Sequence, residues 1–353
     1  MFSFNTTVED VKRIPPVKPS RLPRWSLTLR QHDPVRNVDE WWQDEFDALI
    51  IATGHYSVPF IPAVPGLEQY MQRFPEKVFH SKSYRSATAF QGKRVLVIGN
   101  SASGHDVSSI LATEVKFPLY QSRRSKSRWD GDSPPPGVAW KPIISRYDPD
   151  SGAIHFADDT HLEGDEVDFV IYCTGYKPSF PWWNSKVNGG DLWDYHANRL
   201  IESYQHTFFK AHPTLGLIGM PRTLTFRSFE YQAVALARVF AGRNRSPLPS
   251  QREMKCWEVE RDHVCRREGR KFHDIPWDNG ETLEFFRALF ELAGLPLLEG
   301  DGRFPPVLDA ETRWAVEHVR RYPEPGNSDD CVEEEEEGWT VVGQQKKDLL
   351  HFI

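Results

Sequence analysis

Residues 4–14 and 24–31 alternate apolar and polar side chains, and Trp25, Leu27 and Leu29 fall on one face of the second stretch. A period of two marks a half-buried strand. The Pro-rich connection between the stretches predicts a β-hairpin or meander. "FDALIIATGHY" (46–56) is a short buried strand ending in Thr53-Gly54, and the Pro-studded "SVPFIPAVPG" (57–66) after it is extended and poor in backbone donors. "RVLVIGNSASGHDVSSIL" (94–111) then reads as a buried strand, a Gly/Ser turn and a helix. A strand is expected at "FPLYQS" (117–122), and a hairpin turned by Asp-Ser-Gly within 143–156. "DEVDFVIYCTGYKP" (165–178) repeats the earlier device of an acidic lead-in, an apolar strand and Thr-Gly, here Thr174-Gly175.

The last third is helical in pattern. "EYQAVALARVFAGR" (230–243) places Ala233, Leu236, Ala237 and Phe240 at i, i+3, i+4 and i+7, with Gly242 to close the helix. "ETLEFFRALFELAGL" (281–295) and "AETRWAVEHVRRY" (310–322) are expected as further amphipathic helices. Beyond Pro323, "GNSDDCVEEEEEG" reads as a solvated acidic tail.

A chain of 353 residues allows one large domain or two ordinary ones, and its net charge of −7 argues against a general nucleic-acid binder. The short basic cluster "SRRSKSR" (122–128) suits a single phosphate group. Cys173, Cys256, Cys265 and Cys331 form no CxxC and no metal-ligand spacing, so no metal is expected and a reduced, cytoplasmic setting fits. The N-terminus has no apolar signal core, and no run approaches the roughly 18 apolar residues of a membrane span.

The chemistry sits in the turn of 94–111. A diphosphate needs backbone N–H groups at a helix N-terminus with little side-chain bulk in the way. Gly99 permits the tight turn and Gly104 the close approach of helix to strand; Asn100, Ser101, Ala102 and Ser103 complete it, with Ser101 where a second glycine is usual. The alternative is an ordinary Gly/Ser turn. No acid stands about 20 residues on to hold a ribose 2′-hydroxyl. Instead Ser122, Arg123 and Arg124 end the next strand, which favours NADPH over NADH against the alternative of a solvated basic loop.

"ATGHYSVPFIPAVPGL", "FPEKVFHSKSY", "GKRVLVIGNSASGHDV" and "VIYCTGYKP", in that order, resemble the flavin-containing monooxygenases. The family pattern FxGxxxHxxx(Y/F) is met by Phe74, His80 and Tyr84, with Glu76 in place of the glycine; Tyr84 favours this group over the Baeyer–Villiger monooxygenases. The likeness runs over roughly residues 4–260, through the helix start at Glu230 and Gln232.

The resemblance implies an α/β, FAD/NAD(P)-binding, two-dinucleotide-domain Rossmann-like fold. It implies a flavin-dependent monooxygenase in which NADPH reduces FAD and a C4a-hydroperoxyflavin, formed with O₂, oxygenates a small N- or S-containing or lipophilic metabolite. The flavin carries that chemistry, so no catalytic acid–base side chain is expected.

On that likeness residues 99–104 hold the NADPH diphosphate, Ser122 and Arg123 its 2′-phosphate, and His80, Ser81 and Tyr84 lie near the nicotinamide-side ribose. Thr53-Gly54 and Thr174-Gly175 are the two domain crossings, and Glu230 and Gln232 cap their helix or face the flavin. The implied organisation is a β-rich remnant of the FAD domain (1–57), an NADPH domain (58–177), a return to the FAD domain with C-terminal helices (178–325) and a disordered tail (326–353). The family's GxGxxG for FAD finds no match in the chain, so the FAD domain is expected to be incomplete at its N-terminus. The alternative is a non-enzymatic, NADPH-binding relative. Oligomerisation is left open.

Overall fold

The computed structural model describes residues 2–16, 22–127, 129–223, 225–244, 247–276 and 279–295, together with the backbone of 319–320 and 340–341. They divide into two compact units, the first built from residues 2–55 and 178–295, the second from 56–177 with the strand pair beyond 318.

The first unit opens with β1 (Thr6–Ile14), β2 (Arg24–Asp33) and β3 (Val38–Phe46), antiparallel in that order. Trp25, Leu27 and Leu29 are buried on one face, as the alternation requires. β3 escapes the sequence reading because it buries no face: Trp42 is half-buried and the rest is exposed. Its ladder is supported across the sheet by Arg24–Glu45 and Arg30–Asp39 ion pairs. β4 (Leu49–Ile51) follows and pairs much later in the chain.

The second unit runs through β5 (Val58–Pro59), α1 (Leu67–Arg73), β6 (Val78–His80), β7 (Val95–Ile98), α2 (Ala102–Leu111), β8 (Leu119–Ser122) and β9 (Val138–Lys141). Then come β10 (Ile144–Tyr147), β11 (Ile154–Phe156), β12 (His161–Leu162), β13 (Phe169–Tyr172) and β14 (Tyr176–Lys177). Its centre is an all-parallel sheet in the order β6-β13-β7-β8-β9. Such a sheet is covered on both faces, which is why its strands read as unbroken apolar runs. Val95 and Val97 pack with Val107 and Leu111 of α2. Leu96 and Ile98 point the other way, into a cluster with Tyr70, Ile154, Phe156 and Tyr172. From β7 the chain crosses by α2 to β8 on one side, while β13 flanks β7 on the other. Ligands of open α/β sheets sit at such a reversal, outside the carboxyl ends of the strands.

The chain then returns to the first unit through α3 (Ser185–Asn188), β15 (Trp193–Asp194), β16 (Arg199–Leu200), β17 (Ser203–Tyr204), β18 (Phe208–Phe209) and β19 (Leu215–Leu217). Three helices follow: α4 (Thr225–Phe240), α5 (Gln251–Arg267) and α6 (Glu281–Ala293). β19 lies parallel to β4 at the end of a β17-β18-β19-β4 sheet. Tyr231 and Leu236 of α4 share a core with Phe286 and Leu289 of α6. Trp183 is core, packed beside Trp25 and His212.

Two expectations change near the C-terminus. Val319 and Arg320, assigned by sequence to a helix over 310–322, form β20 and pair antiparallel with Thr340 and Val341 of β21, inside the segment read as a solvated tail. Three of these four residues are β-branched, which favours a strand over a helix. The rest of that helix and tail lies outside the described residues. Among the described residues no helix is long and apolar enough to cross a membrane.

Candidate functional site

The turn between β7 and α2 is shaped by contact on both its glycines. Gly99 has φ +108°, and a Cβ there would stand 2.6 Å from the Cys173 carbonyl oxygen. A Cβ on Gly104 would stand 2.2 Å from the carbonyl oxygen of Gly99. Only glycine lets helix, turn and the end of β13 approach this closely. Ser101 is the N-cap of α2 with extended backbone (φ −83°, ψ −171°), and no side chain caps the helix. The first N–H groups of α2 are thus left for a ligand, with the positive end of the helix dipole behind them. Ala102 is exposed and Ser103 half-buried, so little bulk stands in front. These residues fit the diphosphate of a dinucleotide. Cys173 beneath the turn is no nucleophile: burial pushes its thiol up to about 12, and it hydrogen-bonds Ser81.

At the end of β8 the Arg123 guanidinium lies on the Trp140 ring, 3.3 Å from its centroid, and Nη1 donates to Asp130 Oδ2 at 3.2 Å. The same Oδ2 accepts from Asn100 Nδ2 at 2.5 Å and from the Ser127 backbone N–H at 2.8 Å. Asn100 also donates to the Ser125 carbonyl. Asp130 and Trp140 were missed from sequence. Asp130 sits in an aperiodic stretch, "WDGDSPPPG", and Trp140 on a four-residue strand. Ser122 departs from expectation. The residue is 2 % exposed and its hydroxyl donates inward to the Pro142 carbonyl at 2.8 Å, so it is turned away from any 2′-phosphate. Beside Asp130 a cavity of about 80 Å³ is lined by His105, Ser109, Trp129, Pro135 and Trp140.

His80 acts as a brace. Its Nδ1 accepts from the Lys82 N–H at 3.1 Å, so Nε2 carries the proton and donates to the Gly175 carbonyl at 2.9 Å. Burial lowers its pKa and keeps it neutral. Thr174 Oγ1 donates to the Phe60 carbonyl and Phe60 N–H returns a bond to Gly175, tying β5 to the Thr-Gly end of β13. Tyr84 stacks on Phe90 at 5.7 Å, and its buried hydroxyl has no partner; burial raises its pKa. The structure thus brings residues 99–104, Arg123 and the Thr174-Gly175 strand end to one edge of the sheet, with Tyr84 packed into the core beneath.

The first unit, taken by itself, holds the other candidates. Thr53 and Gly54 are exposed just past β4, Gly54 with φ +70°. Glu230 is half-buried on α4. Gln232 is fully buried with both ends of its amide engaged: Oε1 accepts from Gly219 N–H at 3.0 Å and Nε2 donates to Thr207 Oγ1 at 2.8 Å. It ties β19 to the lead-in of β18. α5 opens on a Ser250–Glu253 capping box and α6 on an acidic first turn, Glu281 and Glu284; neither fits the diphosphate of FAD. Among the described residues no cluster of His, Cys, Asp or Glu could hold a metal ion.

Sheet order, glycine turn and open helix end define an α/β protein of the FAD/NAD(P)-binding fold. A family model described as flavin-binding monooxygenase-like matches residues 1–129. The senecionine N-oxygenase of Tyria jacobaeae is 32% identical over 287 residues, 80% of this chain and 58% of the relative. The flavin-containing monooxygenase FMO GS-OX-like 9 of Arabidopsis thaliana is 32% identical over 257 residues, 71% of this chain and 52% of the relative. The solved structure of S-allyl-L-cysteine S-oxygenase from Allium sativum shares the fold, with a TM-score of 0.63 at 24% identity over 83% of this chain and 62% of that one. Over most of its length the chain is similar to flavin-containing monooxygenases, and it spans little more than half the length of the two relatives.

Proposed function

We propose that the protein is a flavin-dependent monooxygenase that takes its hydride from NADPH held on the second unit and transfers oxygen from O₂ to a small N- or S-containing or lipophilic molecule. The observation that carries this reading is the uncapped N-terminus of α2, framed by Gly99 and Gly104 where the strand order reverses. The names of two similar proteins, an N-oxygenase and an S-oxygenase, support a soft nitrogen or sulfur nucleophile as substrate.

When bound, the flavin supplies the oxygen-activating chemistry. The chain's own residues bind and orient. Backbone N–H groups of 101–104 take the NADPH diphosphate, and Arg123, flat on Trp140, presents a guanidinium edge to the 2′-phosphate. His80 and Thr174 fix the strand ends around the nicotinamide side and move no proton, since both His80 nitrogens are engaged.

A second reading, an NADPH-binding protein without oxygenase activity, is favoured by one observation: neither α5 nor α6 offers its N-terminus to a second diphosphate. Titrating the purified chain with FAD and then following NADPH oxidation separates the two. A yellow, one-to-one complex that consumes NADPH supports the first; a colourless protein that still binds NADP⁺ supports the second. Failure to bind NADP⁺ at all overturns both. Arg123→Ala is expected to weaken NADP⁺ binding about 10- to 100-fold, the worth of a charge-assisted hydrogen bond, with NAD⁺ binding nearly unchanged. Equal losses for both dinucleotides would sink the 2′-phosphate assignment.

A further inference from the structure

We propose that Asp130 is a built-in competitor for the 2′-phosphate of the cofactor, a carboxylate that fills the anion site around Arg123 and is displaced when NADPH binds. This rests on the NADPH reading of the second unit.

Three donors of different origin converge on one oxygen of Asp130: the Arg123 guanidinium, the Asn100 side-chain amide and the Ser127 backbone N–H. A guanidinium joined by amide and backbone N–H groups is the donor set that binds phosphate oxygens. The Asn100 amide stems from the diphosphate turn itself, so these donors lie where a 2′-phosphate must come. With Asp130 only 7 % exposed, the carboxylate covers the donors it holds. A phosphate carrying about −1.5 to −2 charge brought beside it meets like charge.

Asp130 is not needed to keep Arg123 in place. Arg123 N–H donates to the Lys141 carbonyl at 2.9 Å, and its guanidinium rests on Trp140. The loop has its own anchor in the Asn100 bond to the Ser125 carbonyl at 2.7 Å. The carboxylate also has somewhere to go. Asp130 and Gly131 border the cavity lined by His105, Ser109 and Trp129, and His105 is close enough to feel the Asp130 charge.

The test uses the full chain and two probes that differ only in the 2′-phosphate, 2′,5′-ADP and 5′-AMP, titrated calorimetrically. D130N, which keeps the shape and removes the charge, is expected to tighten 2′,5′-ADP about tenfold, the lower end of what removing an adjacent like charge is worth. Binding of 5′-AMP should change less than about twofold. D130A, checked for folding by thermal melt, is a second variant expected to move the same way. Weakened or unchanged 2′,5′-ADP binding in a folded variant overturns the proposal, weakening meaning that Asp130 positions Arg123 instead. If R123A leaves 2′,5′-ADP binding unchanged, the underlying cofactor reading fails, whatever Asp130 does.

Discussion

At the scale of single residues, Gly104 is the most constrained position of the turn. A methyl group there meets the Gly99 carbonyl oxygen at 2.2 Å, a backbone atom that cannot rotate away. Gly104→Ala is expected to lower stability by about 1–3 kcal/mol through overpacking and to weaken NADP⁺ binding, read from urea midpoints and a titration; an unchanged midpoint refutes the contact. The cysteines give an independent check. Cys256 is exposed and Cys173 buried with its thiol pushed up to about 12, so a thiol reagent should label Cys256 at once and Cys173 only on unfolding. Gly99 and Gly104 were legible in sequence because a fixed spacing encodes the backbone path. Residue type alone misleads at Ser122, whose hydroxyl turned inward to Pro142. Asp130 was invisible because its meeting with Asn100 and Arg123 depends on a loop whose sequence carries no period.

Secondary-structure elements were legible in proportion to what they bury. β7 and β13 are covered on both faces, and their apolar runs announced them. β3 and α5 are mostly exposed, so their polar sequences gave no period to read. α5 has a different basis. Ser250 Oγ caps the Glu253 N–H, and the Glu253 carboxylate accepts from the Ser250 N–H at 2.8 Å. Inside the helix Glu258, 2 % exposed, accepts from Arg199 and Lys210, which ties α5 to the preceding segment. Ser250→Ala is expected to cost about 1 kcal/mol, typical of a lost N-cap, with α5 fraying before the rest in hydrogen exchange. Protection of α5 equal to wild type would count against the box as its anchor.

For the whole molecule, buried histidines set the acid limit. His206 and His273 face each other at 2.9 Å between their Nδ1 atoms, and Leu200 N–H donates to His273 Nε2 at 3.0 Å. That leaves His273 Nδ1 as the donor to an unprotonated His206 Nδ1, so both rings are neutral, and burial holds their pKa values well below the usual 6.5. His212, between Trp25 and Trp183, is pushed down to about 4 by burial first and Arg13 second. Because the folded values are depressed, the unfolded chain binds protons that the folded one refuses. Stability is full above pH 6.5 and falls as pH drops below it, by up to about 1.4 kcal/mol per pH unit for each ring. The His212 share levels off near pH 4. Urea midpoints should hold from pH 7.5 to about 6.5 and then decline toward pH 5; a profile flat throughout means the rings are protonated in place.

The way the first unit is assembled from two stretches of chain has a consequence on the ribosome. Leu49 of β4 pairs with Leu215 of β19, and Val11 N–H with the Trp182 carbonyl, while the second unit draws its parallel sheet from one continuous stretch. At about 5–20 residues per second, β4 waits on the order of ten seconds for its partner. During that time the second unit can already close. The nascent strands of 2–55 meanwhile need shielding, and slowed translation between residues 55 and 215 lengthens the interval in which they can aggregate.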